Sequence, residues 1–497
     1  MTRRGRVTVG GLLALGFLIG FQVARRVGDA LADERVPPAP VAGVAAGPPA
    51  AAPRDAPPSG PGVPSPAGSA FAAPAADPSA SSAPAPPPRA SLRSAGEPLP
   101  VPPAPPPVPD AVLALLPPTA REGLAAADVA ETPGQAVEER VPTPVPVPGI
   151  LGPLEVQYTV DAELTRAVAD ILRRHHVRLG HVILLDPTDG RVLAYVSTDP
   201  QDFPPTRPYP MASLMKVVTA AAVLKDAPDA VGQPCVFRGS PYYLSAQLLD
   251  PPRVGHVATF ERALATSNNQ CFAQLAVHQL GAVRVLDELS RLGVLEAPGP
   301  GHPPGEVDPV ETRLDLGELG SGLAGTRLPP LAAARLAAAL AHGQLVSPHW
   351  IARVTDANGV DLALPGSLPR QVLSPGVTRE LRGMLVETTL TGTARRGFHG
   401  PRGRFLLAPI HVAGKTGSLS GSDPAGRYEW FIGVAPAEDP RVAVATLVVN
   451  QGRRWASATR ISAEVLREVF CAAGPCRPPA DELDDDAAPD DGGGPDD

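Results

Sequence analysis

Lysine is almost absent from this chain. Only three of its 43 basic residues are lysine, at positions Lys216, Lys225 and Lys415. Arginine serves wherever positive charge alone is needed. Each remaining lysine is therefore a candidate for chemistry that requires losing a proton, which a guanidinium does not do inside a protein. Aromatic residues are also few, at 4%, and the formal net charge is −8. A basic, stacking nucleic-acid surface is therefore not expected. Four cysteines occur, with no Cys-x-x-Cys or His-Glu-x-x-His spacing, so neither a metal centre nor a cofactor is implied.

Long apolar runs are limited to one, Val7 to Ala24, preceded by Arg3, Arg4 and Arg6 and followed by Arg25 and Arg26. Its length suits a bilayer span, and its flanks suit an uncleaved anchor better than a processing site. The expected organisation is a cytoplasmic N-terminus (1–6), a transmembrane signal anchor (7–24) and a Pro/Ala-rich disordered linker (25–150). A folded domain (151–475) and an acidic disordered tail (476–497) complete it. About half of the 65 prolines lie between Val36 and Ile150. That composition buries too little apolar surface to offset the entropy of ordering. Within the linker, Ala111–Leu116 and Ala120–Ala130 have at most transient helical character. The tail carries nine acids and no base from Asp481 onward, and like charges in a block repel one another. Outside the cytoplasm the four cysteines can form disulfides. Cys471 with Cys476 and Cys235 with Cys271 are the possible pairs.

In the folded part, Asp161 can cap a helix that places Leu164, Val168, Ile171 and Leu172 on one face. Two strands follow around an Asp189-Gly190 turn. Met211–Lys225, Leu331–Leu340, Glu380–Thr388 and Ser457–Cys471 read as helices. Pro409–Gly414, Tyr428–Val434 and Val442–Val449 read as strands. The class is α/β (α+β): an antiparallel sheet flanked by helices, with a helical subdomain.

Three short motifs occur in order: Ser213-Leu-Met-Lys216, Ser267-Asn268-Asn269 and Lys415-Thr416-Gly417-Ser418. Two of the three lysines lie inside them. Residues three apart on a helix share a face, so Lys216 can reach Ser213. A serine hydroxyl is a poor nucleophile until a base takes its proton. Lysine can act as that base when burial and a second cation lower its pKa, and Lys415 can supply the second cation and attract a substrate carboxylate. Ser267 offers a hydroxyl to relay a proton to a leaving amine. Asn269 offers an amide to hold Lys216 or a substrate carbonyl.

From Leu154 to Cys471 the chain resembles the transpeptidase domain of penicillin-binding proteins, the acyl-serine D,D-transferases whose fold is shared with serine β-lactamases. Supporting stretches include Leu184-Leu-Asp-Pro-Thr-Asp-Gly-Arg-Val-Leu-Ala, Gly322-Leu-Ala-Gly-Thr-Arg-Leu-Pro-Pro-Leu and Gly392-Thr-Ala. The resemblance implies that Ser213 is acylated by a D-Ala-D-Ala stem peptide, with Lys216 as base and Ser267 and Asn269 as the second motif. It implies that Lys415, Thr416, Gly417 and Ser418 bind substrate, with the N–H groups of Ser213 and Ser418 as oxyanion hole. Peptidoglycan stem peptides are then the substrate, β-lactams the inhibitors, and other wall-synthesis proteins candidate partners. The domain would sit on the outer face of the cytoplasmic membrane. An amine acceptor gives a transpeptidase and water a D,D-carboxypeptidase. A β-lactam sensor or non-catalytic wall-binding protein is the alternative of another class. Two departures stand out. Met211-Ala212 precedes the serine where many members have Pro-Gly, and the linker leaves no room for a glycosyltransferase or pedestal module.

Overall fold

The computed structural model describes residues 104–128, 136–142, 150, 152–452, 457–472 and 476. The expected anchor (7–24) and nearly all of the acidic tail lie outside the described residues. Among the described residues no helix is long and apolar enough to cross a membrane.

The first described segment, 104–128, contains two short helices, α1 (Asp110–Leu113) and α2 (Pro118–Arg121). Strands β1 (Glu138–Val141) and β2 (Leu154–Tyr158) follow, then helix α3 (Ala162–Arg174) and the hairpin β3 (Leu179–Leu185) and β4 (Val192–Ser197). As its sequence implied, Asp161 caps α3, accepting from the Leu164 N–H at 2.8 Å. A 3-10 turn (Ala212–Leu214) leads into α4 (Met215–Asp226), whose residues Met215–Leu224 are all buried. A small ribbon, β5 (Cys235–Phe237) and β6 (His256–Ala258), precedes four helices: α5 (Phe260–Ala265), α6 (Asn269–Leu275), α7 (Gly281–Arg291) and α8 (Arg313–Ser321). These helices form the expected helical subdomain. The alanine-rich α9 (Pro330–His342), β7 (Ile351–Thr355) and α10 (Pro375–Leu390) lead back to the sheet. Strands β8 (Ala413–Ser422), β9 (Ala425–Ala435) and β10 (Val442–Asn450), then α11 (Ala458–Cys471), complete the domain.

The main sheet has the order β8-β9-β10-β3-β4 and is antiparallel throughout. Every residue of β3 and β10 is buried, because helices cover both faces. Side chains alternate along a strand, so β3 sends Ile183 and Leu185 to one core with α9, and Val182 and Leu184 to the other with α3 and α11. The edge strand β8 begins at Ala413 and runs on to Ser422, paired with β9 along its whole length. The sequence placed a strand only over Pro409–Gly414. The Gly/Ser content of residues 417–422 hides the rest, since hydrogen bonding to β9 rather than side-chain burial defines it.

The segment 104–128 corrects the expected linker. It is a strap packed on the domain rather than a tether. Val108, Val112 and Ala120 are buried in the main core. Ala363 and the strap exchange backbone hydrogen bonds, Val108 N–H to Ala363 O at 3.0 Å and Ala363 N–H to Pro106 O at 2.8 Å. The Trp350 indole N–H donates to Leu115 O at 2.7 Å, and Thr119 Oγ1 donates to Tyr195 O at 2.7 Å. The prolines do not oppose this. Pro109 and Pro117 precede the two helices and Pro118 opens the second, positions where a missing N–H costs nothing. Residues 138–141 also form a strand, pairing with β2.

Candidate active site

Ser213 lies in the 3-10 turn ahead of α4, so the nucleophile motif spans the junction rather than the middle of one continuous helix. Ala212 just before it has φ +51°, a left-handed conformation that alanine disfavours. The turn is held from several sides. The Met211 N–H donates to Thr326 O at 3.0 Å, and the Trp430 indole donates to Pro210 O at 2.8 Å. Gly322 and Gly417 allow close approach. A Cβ on Gly322 would lie 2.0 Å from Ala212 O, and one on Gly417 3.3 Å from Met211 O.

Lys216 is fully buried. Its Nζ lies 2.8 Å from Ser213 Oγ, 2.7 Å from Asn269 Oδ1 and 2.5 Å from Ser321 O. Burial pushes its pKa well below the usual lysine value, and the charge of Lys415 pushes it the same way. Two of its three neighbours are carbonyl oxygens, which only accept. A neutral amine that donates its two protons to them keeps its lone pair for the Ser213 hydroxyl.

Lys415, near the start of β8, is also fully buried. Its Nζ donates to Ser267 Oγ at 3.0 Å and to Thr416 O at 2.9 Å. Burial lowers its pKa to about 7. Ser267 has φ +58°. Asn268 next to it caps α6, accepting from the Cys271 N–H. Asn269 divides its amide, with Oδ1 facing Lys216 and Nδ2 donating to Tyr242 O at 2.7 Å.

A cleft of about 500 Å³ opens above these groups. Ser213, Ser267, Asn269, Thr416, Gly417 and Ser418 line it, and Lys216 and Lys415 stand behind its wall. All the residues singled out from the three motifs therefore converge on one place. Lys225 does not join them. It pairs with Asp226 at 2.9 Å and with the buried Glu288 at 3.1 Å, a structural contact.

Four contributors had no individual role in the sequence reading: Ser321, Gly322, Thr393 and Tyr242. Ser321 acts through its backbone carbonyl, which has no side-chain signature. The Gly322 and Gly392-Thr393 stretches were noted as resemblances. The Thr393 hydroxyl lies 2.6 Å from Thr416 Oγ1, a contact between segments that only the fold brings together. Among the described residues no group of His, Cys, Asp and Glu is arranged to hold a metal ion.

A serine in the turn that opens α4, a buried lysine on the helix itself, a Ser-x-Asn loop and a Lys-Thr-Gly edge strand around one cleft are the arrangement of the penicillin-binding transpeptidase class. The profile of the penicillin binding protein transpeptidase domain matches residues 180–470, and the chain belongs to that family. It is 27% identical over 340 residues to the peptidoglycan D,D-transpeptidase PbpA of Mycolicibacterium smegmatis, covering 59% of this chain and 67% of the relative. It is 26% identical over 337 residues to the stage V sporulation protein D of Bacillus subtilis, covering 60% of this chain and 50% of that one. The crystal structure of PBPA from Mycobacterium tuberculosis has the same fold, with a TM-score of 0.53 at 23% identity over 63% of this chain and 81% of that one. The D,D-transpeptidase domain of a peptidoglycan glycosyltransferase from Eggerthella lenta gives a TM-score of 0.51 at 25% identity, covering 63% and 82%.

Proposed function

We propose that this protein is a penicillin-sensitive peptidoglycan D,D-transpeptidase working through an acyl-enzyme on Ser213. The observation that carries the reading is the setting of Lys216. Its pKa is depressed, two carbonyl oxygens stand within hydrogen-bond reach of its Nζ, and Ser213 Oγ lies 2.8 Å away. Lys216 takes the proton from Ser213 Oγ as the oxygen attacks the carbonyl of the penultimate D-Ala of a stem peptide. The N–H groups of Ser213 and Ser418 hold the developing oxyanion. The substrate carboxylate sits against Lys415, Thr416 and the neighbouring Gly417 backbone. The amide bond breaks, and the proton passes from Lys216 by way of Ser267 to the departing D-Ala amine. An amine on a neighbouring stem then attacks the ester and returns the proton to Ser213. In this reading residues 7–24 anchor the chain in the cytoplasmic membrane and hold the domain on its outer face, where wall-synthesis proteins are its partners.

Fluorescent penicillin labelling of the wild type, Ser213→Ala and Lys216→Arg tests the reading. The wild type should label and both variants should not, because a guanidinium stays protonated. Normal labelling of Lys216→Arg would refute the base assignment. Rapid release of the label would identify a β-lactamase, and no labelling of the wild type a non-catalytic relative. With a donor peptide and an added amine, transfer to the amine should exceed hydrolysis. The reverse would make the protein a carboxypeptidase.

A further inference from the structure

The loop that leads from α10 to β8 is strongly basic. It holds Arg395, Arg396, Arg402 and Arg404, all exposed, and no acid occurs between Glu387 and Asp423. Those two carboxylates are engaged elsewhere, Glu387 with the Thr391 hydroxyl at 2.8 Å and Asp423 with Arg207. The loop follows a defined path. Arg395–Phe398 form one helical turn, the Leu406 N–H donates to Phe398 O at 2.9 Å, and the Gly400 N–H donates to Arg404 O at 2.9 Å. The same loop walls the cleft. Thr393, at its start, lines the cleft beside Thr416. Gly397 packs on Thr459, another cleft residue, so closely that a Cβ would lie 2.4 Å from the Thr459 hydroxyl.

The acidic tail leaves the domain beside this loop. Of the two disulfides, Cys235–Cys271 and Cys471–Cys476, the second ties Cys476 to the end of α11. Cys476 is buried, and its Sγ lies 3.6 Å from Leu407 O. Arg404 stands three positions before Leu407, and Asp481, the first of the nine tail acids, five positions after Cys476. Three residues span at most about 10 Å and five about 17 Å, so the first acids reach Arg404 and the later ones can reach Arg395 and Arg396. A tether this short holds the opposite charges together at an effective concentration on the order of millimolar. That favours the chain's own tail over an anion arriving from solution. Exposed ion pairs are individually weak and screened by salt, so the contact is reversible.

We propose that residues 481–497 dock in cis on the basic loop 395–404, forming an electrostatic cover at the rim of the cleft that an anionic acyl donor must displace. The docking stands on charge and tethering. Its effect on acyl donors rests on the acyl-transfer reading of Ser213.

The test uses full chains: the wild type and a neutral-tail variant with every aspartate from Asp481 onward changed to Asn and Glu482→Gln. The probe is a fluorescein-labelled peptide of residues 478–497, followed by anisotropy. In ~20 mM salt it should bind the neutral-tail chain at least about tenfold more tightly than the wild type, whose own tail holds the loop, and ~0.5 M salt should abolish binding. Adding Arg395→Gln and Arg396→Gln to the neutral-tail chain should weaken the peptide several-fold. Equal peptide affinity for wild type and neutral-tail chain, or no loss in the arginine variant, would overturn the docking. Sedimentation showing a wild-type dimer where the neutral-tail chain is a monomer would give the tail to a second copy and overturn docking in cis. At low salt, benzylpenicillin should acylate the neutral-tail chain about threefold to tenfold faster than the wild type, with the gap closing at high salt. Equal rates at low salt would overturn the cover. If neither chain is acylated, the acyl-transfer reading fails and the cover falls with it, while peptide binding still decides the docking.

Discussion

Replacing Gly322 by alanine should silence Ser213 while leaving the domain folded. Gly322 ends α8 at φ +72°, and a Cβ there would lie 2.0 Å from Ala212 O and 2.6 Å from Ala212 C. Both are backbone atoms of the residue before the nucleophile, and neither can swing aside as a side chain would. To reach ordinary contact the carbonyl must retreat by about 1.4 Å, the difference between 3.4 Å and 2.0 Å. The turn is tied on its far side to Thr326 O and to the Trp430 indole, so the displacement passes into Ser213. Misplacing a reacting group by about 1 Å costs roughly 100-fold in rate. A time course of fluorescent penicillin labelling should therefore show acylation at least about 100-fold slower. Gly325→Ala is the control. Its φ is +89°, so it carries similar backbone strain, but its Cβ would meet only the Leu319 side chain, at 3.6 Å and beyond. Each alanine adds about 1–2 kcal/mol of left-handed strain, lowering both melting temperatures, while labelling should fall only in Gly322→Ala. Labelling of folded Gly322→Ala within about threefold of wild type would refute the steric argument, as would an equal loss in Gly325→Ala.

Burial lowers Lys415 from its ordinary 10.5 to about 7. Between those two values the unfolded chain holds a proton that the folded chain has released, so this group makes stability rise with pH across that window. Lys415→Met should flatten the rise in melting temperature between pH 7 and pH 10, and an unchanged slope would show that Lys415 is not shifted. Relative to a chain beginning at residue 98, one beginning at residue 129 should lose about 3–6 kcal/mol. That figure is the burial of Val108 and Val112 at about 1.5–3 kcal/mol each. Urea denaturation of the two truncations measures it, and equal midpoints would mean that the strap is not held.

The three motifs were legible because they are local. Ser213 and Lys216, or Lys415 and Thr416, declare themselves by type and spacing, and the rarity of lysine made two of them conspicuous. The Asp161 cap was legible for the same reason, since an N-cap acts on N–H groups two or three residues away. What escaped was non-local or lay in the backbone. The Ser321 carbonyl reaches Lys216 across 105 positions, and no side chain marks it. Thr393 and Thr416 meet across 23 positions, and beside them Gly392 packs closely against the Ala265 backbone. The strap escaped for a third reason. Its composition is that of a disordered segment, and its order comes from a surface made elsewhere, by Trp350, Tyr195 and Ala363. No local pattern in residues 104–128 records that surface.

The strap also decides where mechanical load enters the enzyme. Any pull applied through the chain N-terminal to residue 104 meets first the paired backbone of Val108 and Ala363, then the buried Val108 and Val112 side chains and the indole clasp at Leu115. Beyond these lie the Thr119 bond to Tyr195 O on β4, in the sheet that carries Lys415, and then β2 and α3. The strap therefore acts as a strain relief, like the clamp where a cable enters its plug. Tension is borne first by contacts on Ala363 and Trp350, and next by the Thr119 bond to Tyr195 O.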